Sequence, residues 1–287
     1  MRKRLSVIVM IIMVALALAT AVTISYYEKI HEGERKVELI TLDDLYIPEA
    51  LDINELGLFF YDENFQRVRS TEQAVPFDNN KPLVVYIDGH PDNWGDESVR
   101  DLYNLESWQD KGYNTAIFTW KTLFSDDLFS AERKIWGTNE GMRFLNSSSS
   151  LPFLQSNDVP SHSVAEIFIA YYYDFLKSHN YQGGEIRWQG HSLGASLAVA
   201  AGGYMSELKV FDVIDSDYIP SRITLLDGLF TSQPSEVYIN WLDEKVGYDG
   251  AINQSYKAIK KAKELGVAFE FIKSSDILEM FLYDLNL

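Results

Sequence analysis

The chain has 287 residues, no cysteine and a formal net charge of -17. The lack of cysteine excludes disulfides, thiolate metal sites and a cysteine nucleophile, and the acidic balance argues against partners that are nucleic acids or anionic membrane surfaces. A hydrophobic content of 46% and an aromatic content of 14% are typical of a globular protein, and this length suits a single α/β domain with a large core.

The N-terminus carries the pattern of an export signal. Arg2, Lys3 and Arg4 precede a mostly apolar, uncharged stretch at residues 5–25, with small residues spaced as a cleavage site requires at 17–21. A stretch of this length also suffices to span a bilayer. Residues 1–25 are therefore predicted to be either a signal peptide or an N-terminal membrane anchor. In both cases the rest of the protein is exported: secreted, periplasmic or anchored to the membrane by its N-terminus.

Residues 26–55 are mixed and charged, and they are interpreted as a connector and N-terminal extension. After them, apolar runs and helical periods alternate along residues 56–287. Strands are predicted at 56–62, 83–87, 114–120, 186–189, 222–228 and 267–272, and helices at 98–111, 163–179, 195–208 and 250–265, with a last helix from 276. This alternation predicts right-handed crossovers and a mostly parallel sheet with helices on both faces.

Residues 121–160 interrupt the alternation without a clear period. The segment contains Gly137, Gly141 and a run of serines, together with many apolar side chains. An irregular insertion of this length is usually functional or disordered. A lid over an acyl site and an ordinary packed excursion are the two interpretations, and the packed excursion is favoured.

The stretch Gly190-His191-Ser192-Leu193-Gly194 stands between a predicted strand and a helix rich in small residues. Glycines two residues before and after a serine allow a tight strand-to-helix turn that presents the serine hydroxyl as a nucleophile. The alternative is a serine that only caps the helix. The strand before and the helix after the motif favour the nucleophile.

The sequence "GHSLGAS", followed about 30 residues later by "ITLLDG", resembles the α/β-hydrolase lipases and esterases, most closely the pancreatic-lipase-like branch. The segments "LGLFFYD", "VVYIDGH" and "YNTAIFTW" are also similar, so the resemblance covers residues 56–230. It implies an α/β-hydrolase-type sheet and hydrolysis of acyl esters or lipids by a Ser-Asp-His triad. It implies no cofactor. Separately, the carboxylates of "DGHPDNWGD" and "SDD" match no known metal-ligand spacing, so no metal site is expected. The last strand of such a sheet is not evident in this sequence.

By the same resemblance, Asp227 matches the acid of the triad, although an aspartate before a glycine is also common in plain turns. The oxyanion hole would use the N–H of Leu193 and a second N–H from Gly89 or His90. The loop reads Asp88-Gly89-His90, where the family more often has His-Gly.

The triad base is the missing part. The chain has five histidines, at positions 31, 90, 162, 179 and 191, and none follows Asp227. Three explanations stay open: a truncated chain, a substitute base for which His90 is the best candidate, or a catalytically inactive binding protein with this fold. An acyltransferase that uses the same serine is a further alternative.

Overall fold

The computed structural model describes residues 37–47, 51, 53–89, 104–123, 128–137, 143–145, 153–155, 162–231, 237–242, 244–246 and 250–273. The elements below belong to one compact unit that begins at Glu38. The predicted leader at 1–25 and the predicted last helix from 276 lie outside the described residues. Across the ranges just given, no helix combines the length and the apolar character needed to cross a membrane.

The described residues form a seven-stranded sheet and two short strand pairs. The strands are β1 (Leu56–Tyr61), β2 (Arg67–Arg69), β3 (Leu83–Ile87), β4 (Asn114–Trp120), β5 (Arg143–Leu145), β6 (Phe153–Gln155), β7 (Ile186–His191), β8 (Arg222–Leu226), β9 (Val237–Ile239), β10 (Glu244–Val246) and β11 (Ala268–Ile272). The large sheet has the order β11-β8-β7-β3-β4-β1-β2. Its first five strands are parallel, β1 is antiparallel to β4, and β2 is antiparallel to β1.

The helices lie in the connections between the parallel strands, and four of the five in the described residues stand where the sequence predicts a helix. They are α1 (Leu105–Asp110), α2 (Leu128–Trp136), α3 (Val164–Ser178), α4 (Leu193–Val210) and α5 (Gly250–Glu264). The start of α3 is set by a reciprocal cap: the Ser163 hydroxyl accepts the Glu166 N–H at 3.3 Å, and the Glu166 carboxylate accepts the Ser163 N–H at 2.8 Å. Such a cap satisfies two backbone donors that the first turn would otherwise leave unpaired.

Helices cover both faces of the sheet because successive strand residues point to opposite sides. On one face, Ile117 of β4 belongs to a cluster with Tyr86 of β3 and Leu105 of α1. On the other, the Phe118 ring lies 4.8 Å from the Phe168 ring of α3. All five residues of β3 are buried, as its continuous apolar run predicts.

The connector that precedes β1 is docked on two of these helices. The Tyr204 hydroxyl of α4 donates to the Glu38 carbonyl at 2.6 Å and accepts the Ile40 N–H at 3.2 Å. The Leu42 N–H donates to the Asp174 carboxylate of α3 at 2.7 Å. Residues 38–42 are therefore part of the folded unit rather than a free linker.

Two predictions differ from the structure or are only partly covered by it: the irregular segment at 121–160 and the helix at 98–111. The segment 121–160 is not irregular throughout, because it contains α2 and the β5–β6 pair. The helical period of α2 is not visible in the sequence because two of its buried residues, Glu132 and Lys134, are charged and interrupt the apolar pattern. Of the helix predicted at 98–111, residues 104–111 are described, and Leu105–Asp110 of these are helical.

The parallel strands end at one edge of the sheet in matched register. His191, the last residue of β7, pairs with Leu226, the last residue of β8, and Ile87 at the end of β3 pairs with Gly190. The residues that follow these strands are therefore neighbours, and ligand sites in open parallel sheets form at this carboxyl edge.

Candidate active site

Ser192 occupies the turn between β7 and α4. The strand ends at His191 and the helix begins at Leu193, so one residue makes the change of direction. Ser192 has φ 54° and ψ -120°, a conformation that is strained for any residue with a Cβ. Strain of this kind costs about 1–3 kcal/mol and persists where surrounding contacts enforce it. It is the backbone geometry expected of a nucleophile elbow.

Three hydrogen bonds hold the Ser192 backbone in this conformation. Its N–H donates to the Leu226 carbonyl at 3.0 Å, and its carbonyl accepts the N–H groups of Ala195 and Leu229, each at 3.1 Å. Leu226 and Leu229 belong to β8 and the loop that follows it. The elbow is thus fixed by the segment that carries Asp227.

The two glycines of the motif are required by close backbone packing. A Cβ on Gly190 would lie 2.2 Å from the Gly194 carbonyl oxygen, and a Cβ on Gly194 would lie 2.1 Å from the Ile87 oxygen. Real Cβ atoms do not approach backbone atoms so closely. Both positions therefore need glycine for the helix to start directly above the sheet.

Asp227 follows β8 as Ser192 follows β7. It is half-buried and has a positive φ of 44°, and its N–H donates to the Ile272 carbonyl of β11 at 2.9 Å. The next residue, Gly228, packs closely on the elbow helix, since a Cβ there would lie 3.0 Å from the Ala195 Cβ. The structure therefore brings Asp227 and Ser192 to neighbouring positions on the same edge of the sheet.

Gly89, one of the two expected oxyanion donors after β3, lies against the elbow. A Cβ on Gly89 would stand 3.3 Å from the Ser192 Cβ and 2.6 Å from the His191 carbonyl oxygen. Leu193, whose N–H is the donor expected from the start of the helix, is the first residue of α4 and is fully buried. His90 lies outside the described residues.

Asp88 lies at the same edge of the sheet and belongs to neither the triad nor the oxyanion hole expected from the sequence. Burial raises the pKa of its carboxyl group to about 6, although Lys121, the Gly89 N–H and the Thr119 hydroxyl favour the ionised form. The Thr119 oxygen lies 3.5 Å from the Asp88 carboxylate. The sequence signal for this residue is an ionisable side chain placed directly after five buried strand residues, next to the expected oxyanion loop.

Three of the five histidines lie within the described residues. The His179 Nδ1 is 2.9 Å from the Phe175 carbonyl oxygen at the end of α3, and its ring stacks on Phe175. The His162 Nδ1 is 3.8 Å from the Glu166 carboxylate. His191 has its Nδ1 3.3 Å from the point where a Cβ on Gly89 would stand, so its imidazole lies beside the loop that follows β3.

No family model matches the chain, and no curated protein sequence matches it. Solved structures with some similarity include esterase PE8, with 14% identity, 68% of this chain and 84% of that chain covered, and a TM-score of 0.34. An inhibited esterase B from Lactobacillus rhamnosis has 14% identity, coverage of 88% and 66%, and a TM-score of 0.32. A membrane phospholipase A described as a bacterial virulence factor has 12% identity, coverage of 92% and 73%, and a TM-score of 0.29.

At these TM-scores the similarity is too low to support an activity. The fold itself rests on the strand order, the parallel pairing and the helices on both faces. With the strained turn at Ser192 and the neighbouring loop at Asp227, this architecture is that of an α/β-hydrolase-type fold.

Proposed function

We propose that this protein is a lipase- or esterase-like serine hydrolase of carboxylic esters, with Ser192 as nucleophile and Asp227 as acid. The observation that carries the proposal is the strained backbone of Ser192 at the carboxyl edge of the sheet, hydrogen-bonded to the residue before Asp227. A strained non-glycine residue at such a position is expected where the strain serves chemistry.

In the proposed reaction the Ser192 oxygen attacks the ester carbonyl carbon while its proton passes to a base. The carbonyl oxygen becomes an oxyanion, which the N–H groups of Leu193 and of Gly89 or His90 stabilise by hydrogen bonds. The C–O bond to the alcohol then breaks, and the alcohol leaves with the proton. Water hydrolyses the acyl-serine, which releases the carboxylic acid and restores Ser192.

The base is the incomplete part of the proposal. Asp227 would orient an imidazole and stabilise its protonated form, as the acid of a triad does. No histidine follows Asp227 in the sequence given. Either a histidine beyond residue 287 or a substitute within the chain would supply the base, and His90 is the best candidate for a substitute. A serine without a base stays protonated at neutral pH and is a poor nucleophile.

The strained backbone of Ser192 also supports a second candidate function. A protein that lacks the base but keeps the elbow would be a catalytically inactive binding protein for acyl compounds. The two candidates share the fold and differ only in whether Ser192 reacts.

The proposed substrate is an acyl ester or lipid, which suits a protein with a net charge of -17 better than an anionic polymer does. We further propose that the domain is exported and that residues 5–25 provide its membrane association before or without cleavage. The basic residues followed by an apolar stretch support this proposal.

Turnover of p-nitrophenyl esters of graded acyl length tests the proposal. Ser192→Ala should lower kcat/KM at least about a thousandfold. The matched control Ser178→Ala should leave it unchanged, because the Ser178 hydroxyl contacts the Phe175 carbonyl and the His179 Nδ1 at the end of α3. Equal turnover by the wild type and Ser192→Ala would refute the proposal. A folded wild type without turnover that binds acyl esters would establish the inactive candidate.

A further inference from the structure

Glu132 of α2 is a fully buried carboxylate that the proposed reaction does not use. Its Oε1 accepts the Thr231 N–H at 3.0 Å and the Ser196 hydroxyl at 3.4 Å. Its Oε2 accepts the same N–H at 3.2 Å and also the Thr231 hydroxyl. One side chain of the insertion therefore contacts two other parts of the fold.

Both partners belong to segments that carry proposed catalytic residues. Ser196 lies on α4, one helical turn after Ser192, and is fully buried. Thr231 ends the described loop that begins at Asp227 and is also buried. Glu132 thus links the helix of the nucleophile to the loop of the acid.

The loop 227–231 is held at three separate points. Its start is fixed by the Asp227 N–H to Ile272, its middle by the Leu229 N–H to the Ser192 carbonyl, and its end by Glu132. The α2 helix is itself fixed on its other side, because the buried Lys134 ammonium donates to the Leu123 carbonyl at 2.7 Å. The helix that carries the third anchor is therefore itself hydrogen-bonded to the segment before it.

Burying a carboxylate costs several kcal/mol unless hydrogen bonds offset the loss of water. An apolar side chain of similar size would fill the same volume without that cost. What the carboxylate adds is directional: several charge-assisted hydrogen bonds fix the backbone and side chain of Thr231 in one position. We infer that Glu132 is a positioning residue that holds the Asp227 loop against the nucleophile helix. Its catalytic consequence rests on the proposed function.

Amide hydrogen exchange on the full chain tests the inference without requiring activity. In Glu132→Met the amides of Leu229 and Thr231 should exchange at least about tenfold faster, while those inside α3 stay unchanged. Glu132→Gln keeps one acceptor oxygen and should restore part of the protection. Thr231→Val removes the hydroxyl bond to Glu132 and keeps the backbone N–H bond. It should speed exchange at the same two amides by a smaller factor, and it tests the inference if Glu132→Met does not fold.

The matched control is Glu166→Met, which removes another buried carboxylate, one that accepts hydrogen bonds from the N–H and hydroxyl of Ser163 and lies 3.8 Å from the His162 Nδ1. It should destabilise the protein without faster exchange at residues 227–231. Unchanged exchange there in both Glu132→Met and Thr231→Val would overturn the inference.

The rate at which a fluorophosphonate labels Ser192 provides the catalytic readout. The labelling rate should fall about tenfold in Glu132→Met. The rate constant for covalent modification should account for the fall, and the affinity for the probe should stay unchanged. A loosened loop with an unchanged labelling rate would refute the positioning role. A wild type that is not labelled at all would count against the proposed hydrolase instead, and the exchange data would still decide the loop contact.

Discussion

The backbone N–H of Ser192 donates a hydrogen bond of 3.0 Å to the carbonyl of Leu226, the residue that precedes Asp227. This bond continues the parallel ladder between β7 and β8 by one residue beyond the pair His191 and Leu226. The strained turn is therefore stabilised by the strand that leads to the proposed acid. The proposed nucleophile and acid are therefore placed by the same strand pairing.

Ser192→Gly is expected to stabilise the protein by about 1 kcal/mol relative to Ser192→Ala. The φ and ψ of Ser192 are the mirror image of an extended conformation, which glycine adopts without a Cβ clash. Denaturant unfolding of the two variants measures the difference. A glycine variant less stable than the alanine variant would show that the turn is not strained.

Gly194→Ala is expected to destabilise the protein by about 3 kcal/mol or more. The new Cβ would meet the backbone oxygens of Ile87 and Asp88 at 2.1 and 2.7 Å, and backbone cannot move as a side chain can. Gly202→Ala in the same helix is the control, because its Cβ would meet only the Ile223 Cδ1 at 3.0 Å. The control should change stability by less than about 1 kcal/mol. Similar losses in both variants would contradict the close contact between the elbow and β3.

Asp88→Asn is expected to change how stability depends on pH. The pKa of Asp88 is raised in the folded state from 3.8 to about 6, chiefly by burial. Its protonated form therefore favours folding below pH 4, and this contribution is lost as the pH rises through 6. Relative to the wild type, Asp88→Asn should gain about 2 kcal/mol between pH 4 and pH 7.5.

Urea unfolding at the two pH values checks this prediction. Asp78→Asn is a control of opposite sign, because the Asn80 N–H lowers the pKa of the exposed Asp78 and its contribution is lost as the pH falls. If the stability difference between Asp88→Asn and the wild type were the same at both pH values, the carboxyl group would not be buried as described.

The sequence predicted those parts of the fold whose local signals agree with their burial. The apolar runs at 83–87 and 114–120 are strands buried along their whole length, and the Ser163 and Glu166 cap opens α3 at the expected residue. Helix α2 was not predicted because two of its buried residues, Glu132 and Lys134, are charged. Their hydrogen-bond partners come from distant parts of the chain, which no local pattern contains.

In the candidate site, the turn at Ser192 was predictable from the sequence and the raised pKa of Asp88 was not. The glycine spacing around Ser192 indicated the turn, since the close approach of two backbones requires those glycines locally. The raised pKa of Asp88 was not predictable, because it depends on burial created by the tertiary fold. The roles of Ser192 and Asp227 in catalysis stay predictions.

The most direct measurement is the reaction of the folded full chain with a fluorophosphonate probe, followed by mass spectrometric location of the adduct. The proposed hydrolase should carry one adduct, on Ser192, and Ser192→Ala should carry none under the same conditions. A folded wild type without an adduct, or an adduct that persists in Ser192→Ala, would contradict the assignment of Ser192 as the nucleophile.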